Sequence, residues 1–356
     1  EELSQFYADF GAGPEVSELS QSWDLPQPTV EAYSDDLLAN ARSYSDTAVI
    51  VISRLAGEGH NDMPVDMTAV PYDNNSDEYA DFEAGDHFLR LSQTEKNMVE
   101  MVCENFDKVI VVYNGSNPME LGWVEDYDQI GAVIWAAGPG NTGFNALGRI
   151  LTGEVNPSGR TPDTFVYDIT ETPYWNNAVK ADYTNMEDMG VEGMNNGVPQ
   201  MYYPAYINYA ESIYVGYKYY ETAYAEAQAG RMDFDYDTTV QYPFGHGLSY
   251  TTFEQSMSDL TVDGDTVRFD VTVTNTGDVA GKDVVEVYYN PPYIDGGIEK
   301  AAANLAAYEK TKLLEPGDSQ TISFELDVED MASFDVDGRG CYVLDAGEYE
   351  VSIRAN

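Results

Sequence analysis

The sequence predicts an α/β domain built on a parallel sheet covered by helices, followed by a small antiparallel β-sandwich. Three observations carry that expectation. Between residues 31 and 165, helical patterns alternate with short apolar runs, the βαβα order that sets strands parallel with helices on the sheet faces. The runs are nearly continuous and β-branched, as in strands buried on both faces. From about residue 255 the period changes to two, and the segments break at turn residues such as "NTGD" (275–278).

Taken in order, "EAYSDDLLANARSY" (31–44) carries Leu37, Leu38, Ala41 and Tyr44 at helical spacing. "TAVIVIS" (47–53) is the first buried strand. "LSQTEKNMVEMVCENF" (91–106) opens on a capping box, Ser92 to Glu95, and then marks one helix face with Met98, Val102 and Phe106. "KVIVVYN" (108–114) is a second strand. "NPMELGWVED" (117–126) reads as a helix with Pro118 in its first turn. "IGAVIWA" (130–136) is a third strand, and "FNALGRILTG" (144–153) a helix stopped by Gly153.

Residues 166–240 are rich in Tyr, Asn, Met and Asp and show little periodicity, with one ordered island, "ESIYVGYKYYET" (211–222). A loop of that length covers or decorates something, and its tyrosines suit a domain interface better than a sugar platform. Beyond it, "DTVRFDVTVTNTGDVAGKDVVEVYYNPP" (265–292), "KTKLLEPGDSQTISFELD" (310–327) and "CYVLDAGEYEVSIRA" (341–355) repeat strand, turn, strand. About seven short strands make a sandwich. The expected division is an α/β domain over 1–240, a linker over 241–254 and the sandwich over 255–356.

The chain of 356 residues holds 63 acidic and 17 basic side chains, for a formal charge of -46. Such a surface repels nucleic acid and anionic lipid and favours neutral or cationic ligands, sugars among them; its plainer role is solubility or salt tolerance. The two cysteines, Cys103 and Cys341, make no disulfide framework and no metal-ligand spacing, and read as two small buried side chains. No run of 18 apolar residues suggests a membrane span. The opening "EELSQFYADF" has neither an initiator Met nor a signal-peptide pattern, so the natural N-terminus is expected upstream. The acidity and low Lys content favour a secreted or cell-surface location over a cytoplasmic one.

Two loops carry possible chemistry. In "AAGPGNTGFNALG" (136–148), Gly138, Gly140 and Gly143 form a G-x-G-x-x-G after a strand. A dinucleotide turn belongs in the first βαβ unit with an acidic residue about 20 positions on. This one follows the third strand, Pro139 removes a donor, and Glu154 and Asp163 are poorly placed. A tight turn with close helix packing is the better reading, and a nucleotide-dependent oxidoreductase the weaker one.

The other loop, "SRLAGEGHND" (53–62), follows the first strand directly. Ligands bind open α/β sheets outside the carboxyl ends of strands. Gly57 and Gly59 flank Glu58, with Arg54, His60 and Asp62 close by. A carboxyl group there suits a general acid if its pKa is raised, but on these residues alone a solvated acidic loop is the better reading. Of the remaining histidines, His87 reads as structural or surface-exposed and His246 as a packing residue. No G-x-S-x-G elbow accompanies them.

These segments together resemble glycoside hydrolase family 3. "AVIVISRLAGEGHND" (48–62), residues 91–126 and residues 130–165 resemble its second domain. "ESIYVGYKYYET", "YPFGHGLSYTTFE" (242–254) and "VTVTNTGDVAGKDVVEVYYNPPY" (271–293) extend the likeness, in the family's order, over roughly 35–356. The resemblance implies a mostly parallel six-stranded sheet sandwiched by helices, then a fibronectin type III-like sandwich. It implies a retaining, exo-acting β-glycosidase of β-glucosidase type, whose substrate is a β-glucoside or oligosaccharide. Glu58 would be the acid/base, with Glu83 in "DFEAGDH" a distant alternative. Arg54, His60 and Asp62 would bind the sugar. No cofactor and no metal is implied, and no nucleic acid partner.

There are departures. The family's catalytic barrel, which carries the nucleophilic aspartate, has no counterpart here, so it is expected in cis or on a separate chain. "QSWDLP" (21–26) lacks the context and order of the family's Ser-Asp-Trp nucleophile segment, so Asp24 is not promoted. The sandwich's first strand is missing or precedes residue 1, and Ser212 stands where the family usually has Gly. The chain thus reads as a segment of a permuted or processed enzyme, inactive alone. The rival reading is a non-catalytic carbohydrate-binding or structural relative.

Overall fold

The computed structural model describes residues 2–11, 27–54, 63–69, 81–140, 142–177 and 181–354. By internal contacts the chain forms two compact units: Glu1–Pro139 with Asp168–Ala210, and Gly140–Tyr167 with Glu211–Asn356.

The first unit is α/β. Helix α1 (Glu2–Gly11) and helix α2 (Asp35–Tyr44) precede strand β1 (Thr47–Ser53). Helix α3 (Gln93–Asn105), strand β2 (Lys108–Asn114) and strand β3 (Ile130–Trp135) follow. The three strands are parallel in the order β1-β2-β3, with Thr47 opposite Lys108 and Ser53 opposite Asn114. β2, in the middle, buries Val109, Val111, Val112 and Tyr113 on both faces, as its apolar run predicts. β1 buries Ile50 and Ile52 but leaves Val49 and Val51 each 46% exposed. Only the Ile50 and Ile52 face of β1 is covered, whereas its sequence predicts burial on both faces.

α3 begins where its capping box predicts. The Ser92 hydroxyl accepts the Glu95 N–H at 3.1 Å and the Glu95 carboxylate accepts the Ser92 N–H at 2.9 Å, satisfying two of the donors a helix start leaves open. Its buried face is Glu95, Met98, Val99 and Cys103. Residues 117–126 depart from expectation: only Gly122–Asp126 is helical, as a 3-10 turn. Met119, Glu120 and Leu121 are all buried, and three successive buried side chains cannot lie on one helical face.

Short antiparallel pairs join the parallel sheet in this unit. Ala181–Asp182 pairs with Ala205–Tyr206, and Val191–Asn195 with Val198–Tyr202. The second pair is a hairpin turned by Asn196 and Gly197, both at positive φ (50° and 84°). That is the two-residue turn whose twist matches the strands, a local signal that the composition of 166–240 hides.

The second unit opens with helix α4 (Phe144–Leu151), closed by Gly153 at φ 74°. The island at 211–222 becomes a helix over Tyr217–Gln228. Most of the rest is an antiparallel sandwich. Thr266–Asn275 pairs along one edge with Phe253–Met257 and Thr261–Asp263 and along the other with Ser319–Asp327. In the facing sheet Val284–Asn290 lies between Asn304–Lys310 and Glu350–Arg354. Alternate residues point inward, so Val267, Phe269, Val271, Val273, Ile322, Phe324 and Leu326 meet Val285, Val287 and Val351 in one core.

Of the two cysteines, Cys103 is buried as expected, but Cys341 is exposed. It sits on a two-stranded hairpin, Ser333–Asp335 with Cys341–Val343, whose residues are mostly uncovered. Gly138 and Gly140 adopt φ of 51° and 61°, and a Cβ at either would meet nothing within 4 Å. That turn needs its glycines for backbone conformation, not for close packing.

Candidate functional site

The carboxyl edge of the three strands is stitched together. The Arg54 N–H donates to the Asn114 carbonyl at 2.9 Å, prolonging the β1–β2 ladder by one residue. The Asn114 side-chain amide donates to the Ala136 carbonyl at 2.8 Å, and the Trp135 indole N–H to the Gly115 carbonyl at 2.6 Å. Sugar-binding candidates His60 and Asp62, the acid/base candidate Glu58, and also Asp24 lie outside the described residues. Arg54 and Met63, which flank the 55–62 segment, are described.

Arg54 is 4% exposed, and its guanidinium is fully engaged. Nε donates to the Phe88 carbonyl at 2.7 Å; Nη1 to the Ser53 carbonyl and Glu95 Oε1, both at 2.8 Å; Nη2 to the Arg90 carbonyl at 2.5 Å and Glu95 Oε2 at 2.7 Å. These account for all five N–H donors of the side chain. The Phe88 ring lies 5.6 Å from the guanidinium carbon, a cation–π contact. The sequence places Arg54 among the sugar-binding residues; the structure leaves it no donor for a sugar. Its partner Glu95, 41 residues away, is legible in the sequence only as a helix cap.

The segment supporting Arg54 is itself anchored. His87 is completely buried. Its Nδ1 accepts the Leu89 N–H at 3.1 Å, so Nε2 carries the proton and donates to Glu120 Oε1 at 3.0 Å. Glu120 also accepts from the Ile169 N–H at 2.9 Å and from Arg90 Nε at 2.8 Å. Burial pushes the Glu120 carboxyl up, but these donors outweigh it and hold the group below the usual carboxylate range. Trp175 packs on the His87 ring at 5.1 Å between centroids.

Glu83 has a different setting. It is exposed in a turn whose backbone N–H and carbonyl are paired with Asp86. In the second unit His246 stacks on Tyr242 at 5.1 Å, and burial with nearby Arg160 lowers its pKa, as fits a packing role. Among the described residues no group of three or more His, Cys, Asp or Glu is placed to hold a metal ion, and no helix is long and apolar enough to cross a membrane.

Known proteins share this framework. Residues 31–250 match the model of the glycosyl hydrolase family 3 C-terminal domain, and residues 283–356 that of a fibronectin type III-like domain. β-Glucosidase A of Butyrivibrio fibrisolvens is 36% identical over 345 residues, covering 89% of this chain and 37% of its own length. A β-glucosidase of Ruminococcus albus is 34% identical, with 88% and 28% covered. The crystal structure of a Paenibacillus barengoltzii β-glucosidase superposes with a TM-score of 0.73 at 30% identity, over 99% of this chain and 33% of that one. β-Glucosidase 3B from Thermotoga neapolitana gives 0.73 at 31% identity, over 99% and 42%. The chain therefore spans between about a quarter and two fifths of these relatives' lengths. It belongs to glycoside hydrolase family 3, of which it carries the C-terminal α/β domain and the fibronectin type III-like domain, with no barrel among the described residues.

Proposed function

We propose that this chain is the acid/base-bearing part of a retaining, exo-acting β-glycosidase that removes terminal β-linked sugars from β-glucosides or oligosaccharides. The observation that carries the reading is the attachment of the Glu58 segment. It leaves the carboxyl end of β1, in a family-matched domain whose relatives are β-glucosidases. The parallel strands β1, β2 and β3 belong, on this reading, to the six-stranded sheet of the family. The α/β domain runs over 1–240 and the sandwich over 255–356.

The chemistry needs two carboxyl groups about 5 Å apart across the scissile bond. An aspartate from a barrel outside this chain, in cis or on a partner chain, attacks the anomeric carbon. Glu58 gives its proton to the departing oxygen as the C–O bond breaks, leaving a glycosyl ester on the aspartate. The Glu58 carboxylate then takes a proton from water as that water attacks the anomeric carbon and releases the aspartate. His60 and Asp62, two and four positions on in the sequence, bind the sugar.

Hydrolysis of an aryl β-glucoside tests this. The 356-residue chain alone is expected to be inactive, and activity to appear only when the barrel is present. In that assembly Glu58→Gln is expected to lose kcat/KM for phenyl β-glucoside while keeping it for dinitrophenyl β-glucoside, whose leaving group needs no proton. Robust turnover by the isolated chain overturns the two-part reading. Sugar binding without hydrolysis in the complete assembly favours a non-catalytic relative.

A further inference from the structure

In the hairpin of Val191–Asn195 with Val198–Tyr202, nine of the ten strand residues are exposed. Alternation sorts them onto two faces. Gly193, Asn195, Gln200 and Tyr202 share one, and Glu192, Met194 and Met201 the other. On the first face the Tyr202 ring is seated. Gly193 lies diagonally across from it, and a Cβ there would meet Tyr202 Cε2 and Cδ2 at 2.7 and 2.9 Å but Cζ only at 3.8 Å. The ring therefore rests on the glycine by one edge. Its hydroxyl donates to the Met194 carbonyl at 3.3 Å. With the residue 46% exposed, the faces of the ring are left to solvent.

Gln200 stands on the same face, about 7 Å back along the strand. Asn195 Nδ2 donates to Gln200 Oε1 at 3.0 Å, which leaves Asn195 Oδ1 to accept and Gln200 Nε2 to donate on two exposed side chains. A held aromatic ring beside oriented amides suits a pyranose, whose C–H face stacks on the ring while its hydroxyls meet the amides. The turn at Asn196 and Gly197 forms this face before any ligand arrives, which lowers the cost of binding. Charge decides the class of ligand. Residues 193–210 carry no charged side chain, although 22% of the chain is charged and its formal charge is -46. A basic partner finds no acid to pair with on this face. Anionic lipid, nucleic acid and a second copy of the chain are repelled by the surface around it. A neutral ligand meets neither obstacle. For Tyr202 the seat thus reverses the expectation of a domain interface.

We infer that this face of the hairpin is a platform for neutral oligosaccharides, with Tyr202 as the stacking ring and the Asn195 and Gln200 amides as the hydroxyl contacts. The platform goes beyond the proposed glycosidase activity and stands without it. Only the choice of a β-linked glucose oligosaccharide as the first probe rests on that reading. One exposed ring holds a sugar weakly, and the expected dissociation constant is on the order of 1 mM. A weak site of this kind acts by keeping a long substrate close at hand.

The test titrates the 356-residue chain with cellotetraose, and in parallel with xylotetraose and mannotetraose, following the sugar by saturation-transfer NMR. Tyr202→Ala removes the ring. Gly193→Ala keeps the ring and drives it off its seat; Gly193 lies outside the left-handed region, so the backbone tolerates alanine. Each is expected to weaken binding on the order of 10-fold, and Gly193→Ala covers the case in which Tyr202→Ala unravels the hairpin. Tyr209→Ala, which removes a tyrosine that is 70% exposed outside the hairpin, is expected to change nothing. Binding of the xylose or mannose probe but not of cellotetraose, with the same pattern of variants, keeps the platform and counts against the β-glucosidase reading. Hydrolysis by the complete assembly is scored separately, so a failure of the Glu58 assignment leaves the titrations standing. No binding of any probe up to about 10 mM, binding unchanged in Tyr202→Ala or Gly193→Ala, or an equal loss in Tyr209→Ala overturns the platform. Light scattering reads the other occupant: a dimer that Tyr202→Ala dissolves, with no saccharide bound, makes this face a contact between copies instead.

Discussion

Glu120 and Glu286 are both buried carboxyl groups, and their surroundings drive them in opposite directions. Burial acts to raise Glu120, but donors from His87, Arg90 and the Ile169 N–H overcome it and lower its pKa. Its contribution to stability is therefore full above the usual carboxylate range and is lost as pH falls through its lowered value. In Glu286, in the second unit, burial dominates and raises the pKa, although the Tyr288 hydroxyl donates to the carboxylate at 2.8 Å. Its favourable state is the protonated one, present in acid and lost as pH rises through the raised value. Gly245, at φ 81°, lies so close that a Cβ would run into this carboxylate. Two variants separate the cases. Glu120→Gln is expected to destabilise the fold by about 2 kcal/mol at neutral pH, since it weakens the charge-assisted hydrogen bonds from His87, Arg90 and the Ile169 N–H, and by much less in acid. Glu286→Gln is expected to raise the melting temperature at neutral pH by roughly 2–4 °C, a gain that vanishes in acid. Thermal melts across the acid range check both, and a Glu286→Gln melting temperature below that of the parent at neutral pH contradicts the assignment.

Among elements, α3 shows what local chemistry makes legible. Ser92 and Glu95 announce the helix start in the sequence, and the reciprocal bonds form. Ser92→Ala removes one of them and is expected to cost about 1 kcal/mol. Because Arg54 still grips both Glu95 oxygens, the helix should keep its start, with unchanged urea slope and only the midpoint lowered; a changed slope would mean the cap organises more than its own turn. The strand β2, the covered face of β1 and the two-residue period of the sandwich are legible for a related reason, a pattern that burial imposes along the chain. Features that escape the sequence have other causes. Residues 117–126 are fixed by burial of Met119, Glu120 and Leu121, which is tertiary. The Asn196–Gly197 hairpin carries a local signal masked by the composition around it. In the candidate site, the Arg54–Glu95 pair joins positions 41 residues apart, which no motif spells out.

At the scale of the whole molecule, charge governs how the fold responds to its solvent. A chain of 39.4 kDa with a formal charge of -46 repels itself when compact, and net charge of that size weakens the folded state. Salt shortens the reach of that repulsion, from roughly 30 Å at 0.01 M to about 3 Å at 1 M. The close pair Arg54–Glu95, buried at 2.7 Å, is screened far less than the diffuse surface field, so added salt should relieve repulsion without dissolving that pair. The melting temperature is accordingly expected to rise with sodium chloride at neutral pH. Near the sequence pI of about 4.1 the net charge is close to zero, and little repulsion remains to screen. The salt dependence should therefore flatten there. Melting temperatures on a grid of salt against pH measure the slope directly. An equal slope at both pH values would assign the effect to salt acting on apolar burial, and a falling melting temperature at neutral pH would show that exposed attractive pairs, such as Lys108–Asp46 at 2.8 Å, outweigh the acidic surface.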